Sequence, residues 1–328
     1  MKEPLHALTI ADEAFRFALA VLVRSTLDHL DPDLPLRLTV IDGGLAAASR
    51  QRLLSSWTDP RLSIEWRTPE LLGGRALPVV GRIPVLTYAR LFAPSLLPPD
   101  CERAIVLDAD QLVLADLGRL ALEPFATAHV LAPRDPFIPF VSSPNGLSVF
   151  AKLGFEPADA YFTGALMVVN LAAWRRDRVT EQALAHVARH ADTLRSHDQE
   201  ALNAVLRGSW RELDARWQVQ PRALTLRPSV TPHLDSAARK RLAEDPWVVH
   251  FSGRLKPWLY QGASRFDALF HEALSRTAFA DHRPRRDLRA HLLRLYDGRV
   301  RRWVYPLERR LDAALREVRR RQLPYSAR

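Results

Sequence analysis

Apolar and polar positions follow two alternating rhythms along the first half of the chain. Leu5–Ile10, Leu36–Ile41 and Leu62–Trp66 are short apolar-rich runs that predict strands. Glu13–Leu30 and Ala46–Trp57 carry apolar residues at helical spacing, and Asp42-Gly43-Gly44 predicts a turn. Arg103–Leu107, Val130–Ala132 and Leu166–Asn170 predict further strands, residues 180–206 a helical stretch, and Pro246–Phe251 a last buried strand. This order predicts an α/β, Rossmann-like domain: a mixed, mostly parallel sheet flanked by helices, with ligands beyond the carboxyl ends of its strands. Residues 134–160, rich in Pro, Phe, Ser and Gly, predict a long ordered loop with one helix, suited to be a lid or acceptor wall. Beyond Pro284, Leu288, Leu292 and Leu295, then Val304, Leu307, Leu311 and Leu315, predict two amphipathic helices, broken near Asp297-Gly298 and Pro306.

Composition narrows the class. The 328 residues are 47% hydrophobic and 26% charged, the usage of a folded globular chain. The single cysteine, Cys101, excludes an intrachain disulfide and a cysteine-rich zinc site. No apolar run is long enough for a membrane-spanning helix. Phe17–Val23 lies between Arg16 and Arg24 behind an acidic leader with no clear cleavage site, so the expected location is cytoplasmic and reducing. The net charge of +10 is unevenly placed. Residues 281–328 hold fifteen arginines against six acids, whereas the other 280 residues hold 32 basic and 31 acidic side chains. The expected organisation is a catalytic domain over 1–280 and a basic amphipathic tail over 281–328. Arginines interleaved with Leu, Tyr296, Trp303, Tyr305 and Tyr325 suit an anionic membrane surface, or a helical pair packed on the body.

The candidate chemistry begins at Ala104-Ile105-Val106-Leu107-Asp108-Ala109-Asp110, an apolar strand ending in two carboxylates. Such a pair can converge on a hard divalent cation, or simply cap the strand end. Asp31-Pro32-Asp33 has the same spacing but lies between a helix and a strand, where it reads as a solvated turn. His250 closes a strand ahead of Phe251-Ser252-Gly253, Lys256 and Pro257-Trp258, a sequence that can set an imidazole, a backbone N–H and an ammonium around a diphosphate. His186 and His190 are spaced as in a helical zinc pair but lack the glutamate of that motif, and read as a solvated helix face. Asp198-Gln199-Glu200 reads as a helix N-terminus, and Asp12-Glu13 as a cap or a reader of a base edge.

Taken in order, these segments resemble glycosyltransferase family 8, from about residue 5 to about residue 265. The resemblance rests on Ala11-Asp12-Glu13 with Phe15, Thr87-Tyr88-Ala89-Arg90-Leu91, Leu107-Asp108-Ala109-Asp110, Tyr161-Phe162-Thr163-Gly164, Val169-Asn170-Leu171 with Trp174-Arg175, Asp198-Gln199 with Leu202-Asn203, and His250-Phe251-Ser252-Gly253 with Lys256-Pro257-Trp258. It implies a GT-A fold, a UDP-sugar donor (UDP-glucose or UDP-galactose), Mn²⁺ or Mg²⁺, and transfer with retention of configuration to a glycan or lipid-linked acceptor. It further implies that Asp108, Asp110 and His250 hold the metal. Asp12 would pair with uracil, Phe15 would stack on it, and the backbones of Ala11 and Ala109 would contact the nucleotide. Arg90 would meet the donor, Gly253 and Lys256 the diphosphate, and Asp135, Asp198, Gln199, Thr163 and Gly164 the hexose. Where the family usually carries Asn, this chain has Thr163, which offers one hydroxyl in place of an amide.

Two other readings compete. A sugar-nucleotide nucleotidyltransferase would need a glycine-rich phosphate loop, and Ile10-Ala11-Asp12-Glu13-Ala14 has no glycine. A nucleic-acid-binding protein would act through the basic tail, but the electrically balanced body does not favour it, so no nucleic acid is expected.

Overall fold

The computed structural model describes residues 2–73, 77–79, 85–226 and 231–285, with isolated positions beyond. The strands are β1 (Leu5–Ala11), β2 (Leu36–Asp42), β3 (Leu62–Arg67), β4 (Arg103–Asp108), β5 (Gln111–Val113), β6 (Val130–Ala132), β7 (Leu166–Asn170), β8 (Trp210–Glu212) and β9 (Val248–His250). The helices are α1 (Arg16–His29), α2 (Ala47–Ser55), α3 (Ala93–Leu96), α4 (Gly118–Ala121), α5 (Leu171–Arg176), α6 (Val179–Arg189), α7 (His197–Val205), α8 (Pro221–Thr225), α9 (Ser236–Glu244) and α10 (Asp267–Ser275). Seven strands form one sheet in the order β3-β2-β1-β4-β7-β6-β8. β1, β2, β3 and β4 run parallel, β7 runs antiparallel to β4 and β6, and β6 is parallel to β8. The sheet is therefore mixed, as expected.

The alternation of side chains along each strand builds two cores. Ala7, Ile105, Leu107 and Val168 pack on one face with α1 and α10; Leu8, Val106, Met167 and Val169 pack on the other with the 3₁₀ turn Val85–Phe92, α5, α6 and α7. The apolar run Phe17–Val23 is the buried centre of α1. Its neighbour Ser25 accepts a hydrogen bond from the Val113 N–H at 3.0 Å, which ties the helix to β5.

The last buried strand forms as expected, at Val248–His250, and two expectations change. The last buried strand pairs outside the main sheet: β9 runs antiparallel to β5, and Val219 bridges to its other edge. The helical stretch over 180–206 is two helices, because α6 ends before His190 and α7 begins only at His197. His186 is buried, not solvated; its ring lies 4.6 Å from that of His190. The long loop is ordered around a 3₁₀ turn, Phe150–Leu153, and small satellite contacts of Ile138, Val141, Leu147 and Tyr161. The two helices expected beyond Pro284 lie outside the described residues. Of that segment, Leu292, Leu295, Leu307 and Leu311 are exposed, and Tyr296 and Val304 are half-buried.

Burial pushes the His197 imidazole down to about 4. Burial, with the nearby His190 and Arg189, does the same to His186, also to about 4. In the window from the ordinary value of 6.5 down to about 4, the unfolded chain binds protons that the folded chain refuses. The contribution of both residues is complete above that window and is lost as the pH falls through it. Calorimetric melting between pH 7 and pH 4.5 should show a falling midpoint, and the double variant His186→Gln/His197→Asn a shallower fall. Parallel slopes would contradict this account.

Candidate active site

β4 delivers Asp108 at its carboxyl end, opposite Ile10 of β1. The chain turns through Ala109 and Asp110 into β5, where Gln111 faces His250 across the pair. The Phe251 N–H donates to the Asp110 carbonyl at 3.0 Å. Folding the late strand back onto the early one brings ligand atoms of Asp108, Asp110 and His250 within 4.8 Å of one another. Nε2 of His250 lies 3.2 Å from Oδ1 of Asp110 and 3.7 Å from Oδ2 of Asp108. Two carboxylates and an imidazole are a donor set that fits Mn²⁺ or Mg²⁺. Among the described residues this is the only cluster of its kind. The control pair behaves as a turn: Asp31 accepts from the Asp33 N–H at 2.9 Å and pairs with Lys2 at the surface.

Two cations balance the acids. Arg90, buried, donates to Oδ1 of Asp108 at 2.9 Å, lies 2.9 Å from Oδ2 of Asp198, and reaches the Gly164 carbonyl. Lys256 donates to Oδ2 of Asp110 and, at 2.7 Å, to the Phe251 carbonyl. Burial alone would raise the Asp110 carboxyl, but the positive charge of Lys256 and the hydrogen bonds from His250 and Lys256 outweigh it and hold that carboxyl far below the usual range. For Asp198 the balance runs the other way: burial raises its carboxyl despite Arg90.

Behind the imidazole runs a chain of amides. Gln111 donates through Nε2 to the Ala165 carbonyl at 2.9 Å and to Oε1 of Gln218 at 3.1 Å. That polarity sets Nε2 of Gln218 against Nδ1 of His250, 2.7 Å away, and so leaves the imidazole proton on Nε2. If His250 held an ion through Nε2, its Nδ1 would carry the proton and Gln218 would have to offer it an oxygen.

On the other side of Arg90, Gln199 accepts from the Gly164 N–H at 2.9 Å and donates to Oδ2 of Asp135 at 2.9 Å. The second oxygen of Asp135 takes the N–H groups of Phe137 and Ile138, at 2.8 and 2.9 Å. A Cβ on Gly164 would stand 3.2 Å from the Arg90 guanidinium, which leaves little room for any side chain there. Thr163 is buried, and its hydroxyl accepts from the Ala165 N–H at 3.2 Å.

The carboxyl end of β1 supplies the remaining wall. Asp12 caps the turn Glu13–Phe15, with Oδ1 accepting from Ala14 and Phe15 N–H groups at 2.9 and 3.2 Å. Glu13 caps α2 instead, accepting from the Ala46 N–H at 3.0 Å and from the Ser49 hydroxyl at 2.8 Å. Phe15 packs edge-on against Trp258 at 5.6 Å. Gly253 has φ +93, a left-handed conformation that side chains rarely adopt. The structure thus gathers Ala11, Asp12, Phe15 and Lys256 beside the acid cluster, and Asp135, Asp198 and Gln199 beyond Arg90.

The sequence model for Glycosyl transferase family 8 matches residues 7–262, well over half the chain. The chain belongs to glycosyltransferase family 8. General stress protein A of Bacillus subtilis is 27% identical over 259 residues, covering 78% of this chain and 88% of that protein. The Lipopolysaccharide 1,2-glucosyltransferase of Escherichia coli is 24% identical, over 60% of this chain and 56% of its own length. The fold matches the crystal structure of the galactosyltransferase LgtC in complex with donor and acceptor sugar analogs, at a TM-score of 0.68 and 23% identity over 83% of this chain and 96% of that one. The GT-A architecture follows, and the chain is a glycosyltransferase rather than a nucleotidyltransferase.

Within this family fold, three buried polar residues escaped the sequence reading. Gln111 and Gln218 aim His250, but nothing in their local pattern marks them. Glu200 reads from sequence as a first-turn acid. In fact it is fully buried and gathers the N–H groups of Ser148, Arg195 and Ser196, fastening the Pro-rich loop to the start of α7.

Arg90→Met would leave Asp108 and Asp198 without their shared cation, one of them buried. The expected loss in unfolding free energy is about 3–5 kcal/mol, measured by urea titration. A loss well under about 1 kcal/mol would show that the pairing is not what holds these carboxylates.

Proposed function

We propose that this glycosyltransferase is a divalent-metal-dependent, retaining hexosyltransferase that moves glucose or galactose from UDP-sugar to a glycan or lipid-linked acceptor. One observation carries the reading: Asp108, Asp110 and His250, from distant parts of the chain, converge beyond the carboxyl end of β4 with their ligand atoms within 4.8 Å. A bound Mn²⁺ or Mg²⁺ would supply charge neutralisation for the departing diphosphate.

The chain's own residues do the rest. Asp12 and Phe15 receive the uracil, with the Ala11 and Ala109 backbones alongside. Arg90 positions the donor by fixing Asp108, Asp198 and Gly164 relative to one another, so part of the barrier is lowered by orientation. Asp135, Asp198, Gln199, Thr163 and Gly164 hold the hexose, while Gly253 and Lys256 receive the diphosphate. A retaining glycosidase would set two free carboxylates about 5–5.5 Å apart across the bond. Here the acid pair is engaged by Arg90, Lys256 and His250. An amide is a poor nucleophile, so Gln199 gives electrostatic support and not a covalent intermediate. The acceptor hydroxyl attacks on the face that UDP leaves, and a departing phosphate oxygen takes its proton.

The Escherichia coli relative acts, by its name, on lipopolysaccharide, which supports a lipid-linked acceptor. Residues 281–328 fit that reading as a peripheral contact on the cytoplasmic face of a membrane: fifteen arginines accompany exposed Leu292, Leu295, Leu307 and Leu311. Among the described residues no helix is long and apolar enough to cross a membrane.

With Mn²⁺ and a panel of UDP-sugars, slow UDP release should single out one hexose. Asp110→Asn or EDTA should abolish it while circular dichroism stays unchanged; full activity in the metal-stripped protein would refute the metal role. The full chain should pellet with anionic vesicles and the chain ending at residue 280 should not; equal pelleting would rule out the tail.

A further inference from the structure

The two cations of the site are held very differently. Arg90 has three anchors, Asp108, Asp198 and the Gly164 carbonyl, and is buried among them. It is locked. Lys256 has one carboxylate oxygen of Asp110 and one carbonyl, that of Phe251, at the end of a flexible stem. It follows the left-handed turn at Gly253; its side chain is 13% exposed against 8% for Arg90, so the two differ in their anchors and not in burial. Its ammonium also lies 5.4 Å from the ring centres of both Phe15 and Trp258, an aromatic wall that tolerates a cation at more than one position.

The two oxygens of Asp110 are therefore both taken: Oδ1 faces the imidazole of His250, and Oδ2 the ammonium. An ion held by Asp108, Asp110 and His250 would meet the positive charge of Lys256 at close range, in a setting that screens it poorly. A diphosphate beside the ion reverses that balance, because its oxygens offer the ammonium a stronger partner than one shared carboxylate.

We propose that Lys256 is a built-in stand-in for the divalent cation. It neutralises Asp110 until a diphosphate draws its ammonium away, so that ion and sugar nucleotide enter together and the bare ion binds weakly. The inference rests on the reading of this site as a metal and diphosphate centre, and it adds an order of assembly to it. Lys256 is a positioning residue with two partners in succession, Asp110 and then the diphosphate.

The test is Mn²⁺ binding to the full chain, read from loss of the free-ion electron paramagnetic resonance signal, with and without UDP. Wild type should bind bare Mn²⁺ weakly and gain strongly from UDP. Lys256→Met should bind bare Mn²⁺ about tenfold more tightly, since the competing charge is gone, and gain less from UDP. Lys256→Gln should move the same way, and melting curves confirm that both variants are folded. A lysine that only contacts diphosphate would leave bare-ion affinity unchanged, and one that only supports the fold would lower it. Either result, with UDP still tightening Mn²⁺, overturns the stand-in role and leaves the metal site standing. No Mn²⁺ binding by any form, with or without UDP, overturns both.

Discussion

A single buried guanidinium holds the candidate site in register. Arg90 reaches Asp108 at the end of β4, Asp198 in the first turn of α7 and the carbonyl of Gly164 before β7. These groups come from three separate segments, and at least one of the two carboxylates is buried. A buried charge without a partner is costly, so each carboxylate is held in place by the need for that one cation. The surrounding geometry follows: Gly164 has little room for a side chain, and Gln199 lies close enough to take the Gly164 N–H.

The second constraint is the pairing of β5 with β9. The main sheet ends the acidic strand, but it does not supply the histidine. Antiparallel pairing sets Gln111 opposite His250, and the bridge from Val219 brings Gln218 behind the ring. The amide chain from the Ala165 carbonyl through Gln111 and Gln218 then orients the imidazole. A small sheet of two short strands, covered by α1 on one side, thereby aims the ligand that completes the acid pair.

The far wall is built on buried polar contacts as well. Glu200 fastens the loop around Ser148 to the segment ahead of α7, while Asp135 and Gln199 link the start of that loop to the same helix. The wall and the helix that carries Asp198 and Gln199 therefore form one hydrogen-bonded unit.

The order of strands and helices, the acid pair at a strand end and the family itself were legible in the residues, because apolar periodicity and short motifs are properties of near neighbours. Even the difference between Asp31-Pro32-Asp33 and Asp108-Ala109-Asp110 could be read from the runs that flank them. What only the tertiary structure decided are contacts between residues far apart in the chain. Lys256 meets Asp110 across 146 positions, and Gln218 meets Gln111 across 107. Glu200 serves a loop more than fifty positions away as well as the start of its own helix, and His186 is buried where its spacing suggested solvent. For Lys256, Gln218 and Glu200, burial forced a polar side chain to find a partner, and which partner was available depended on how distant segments came together.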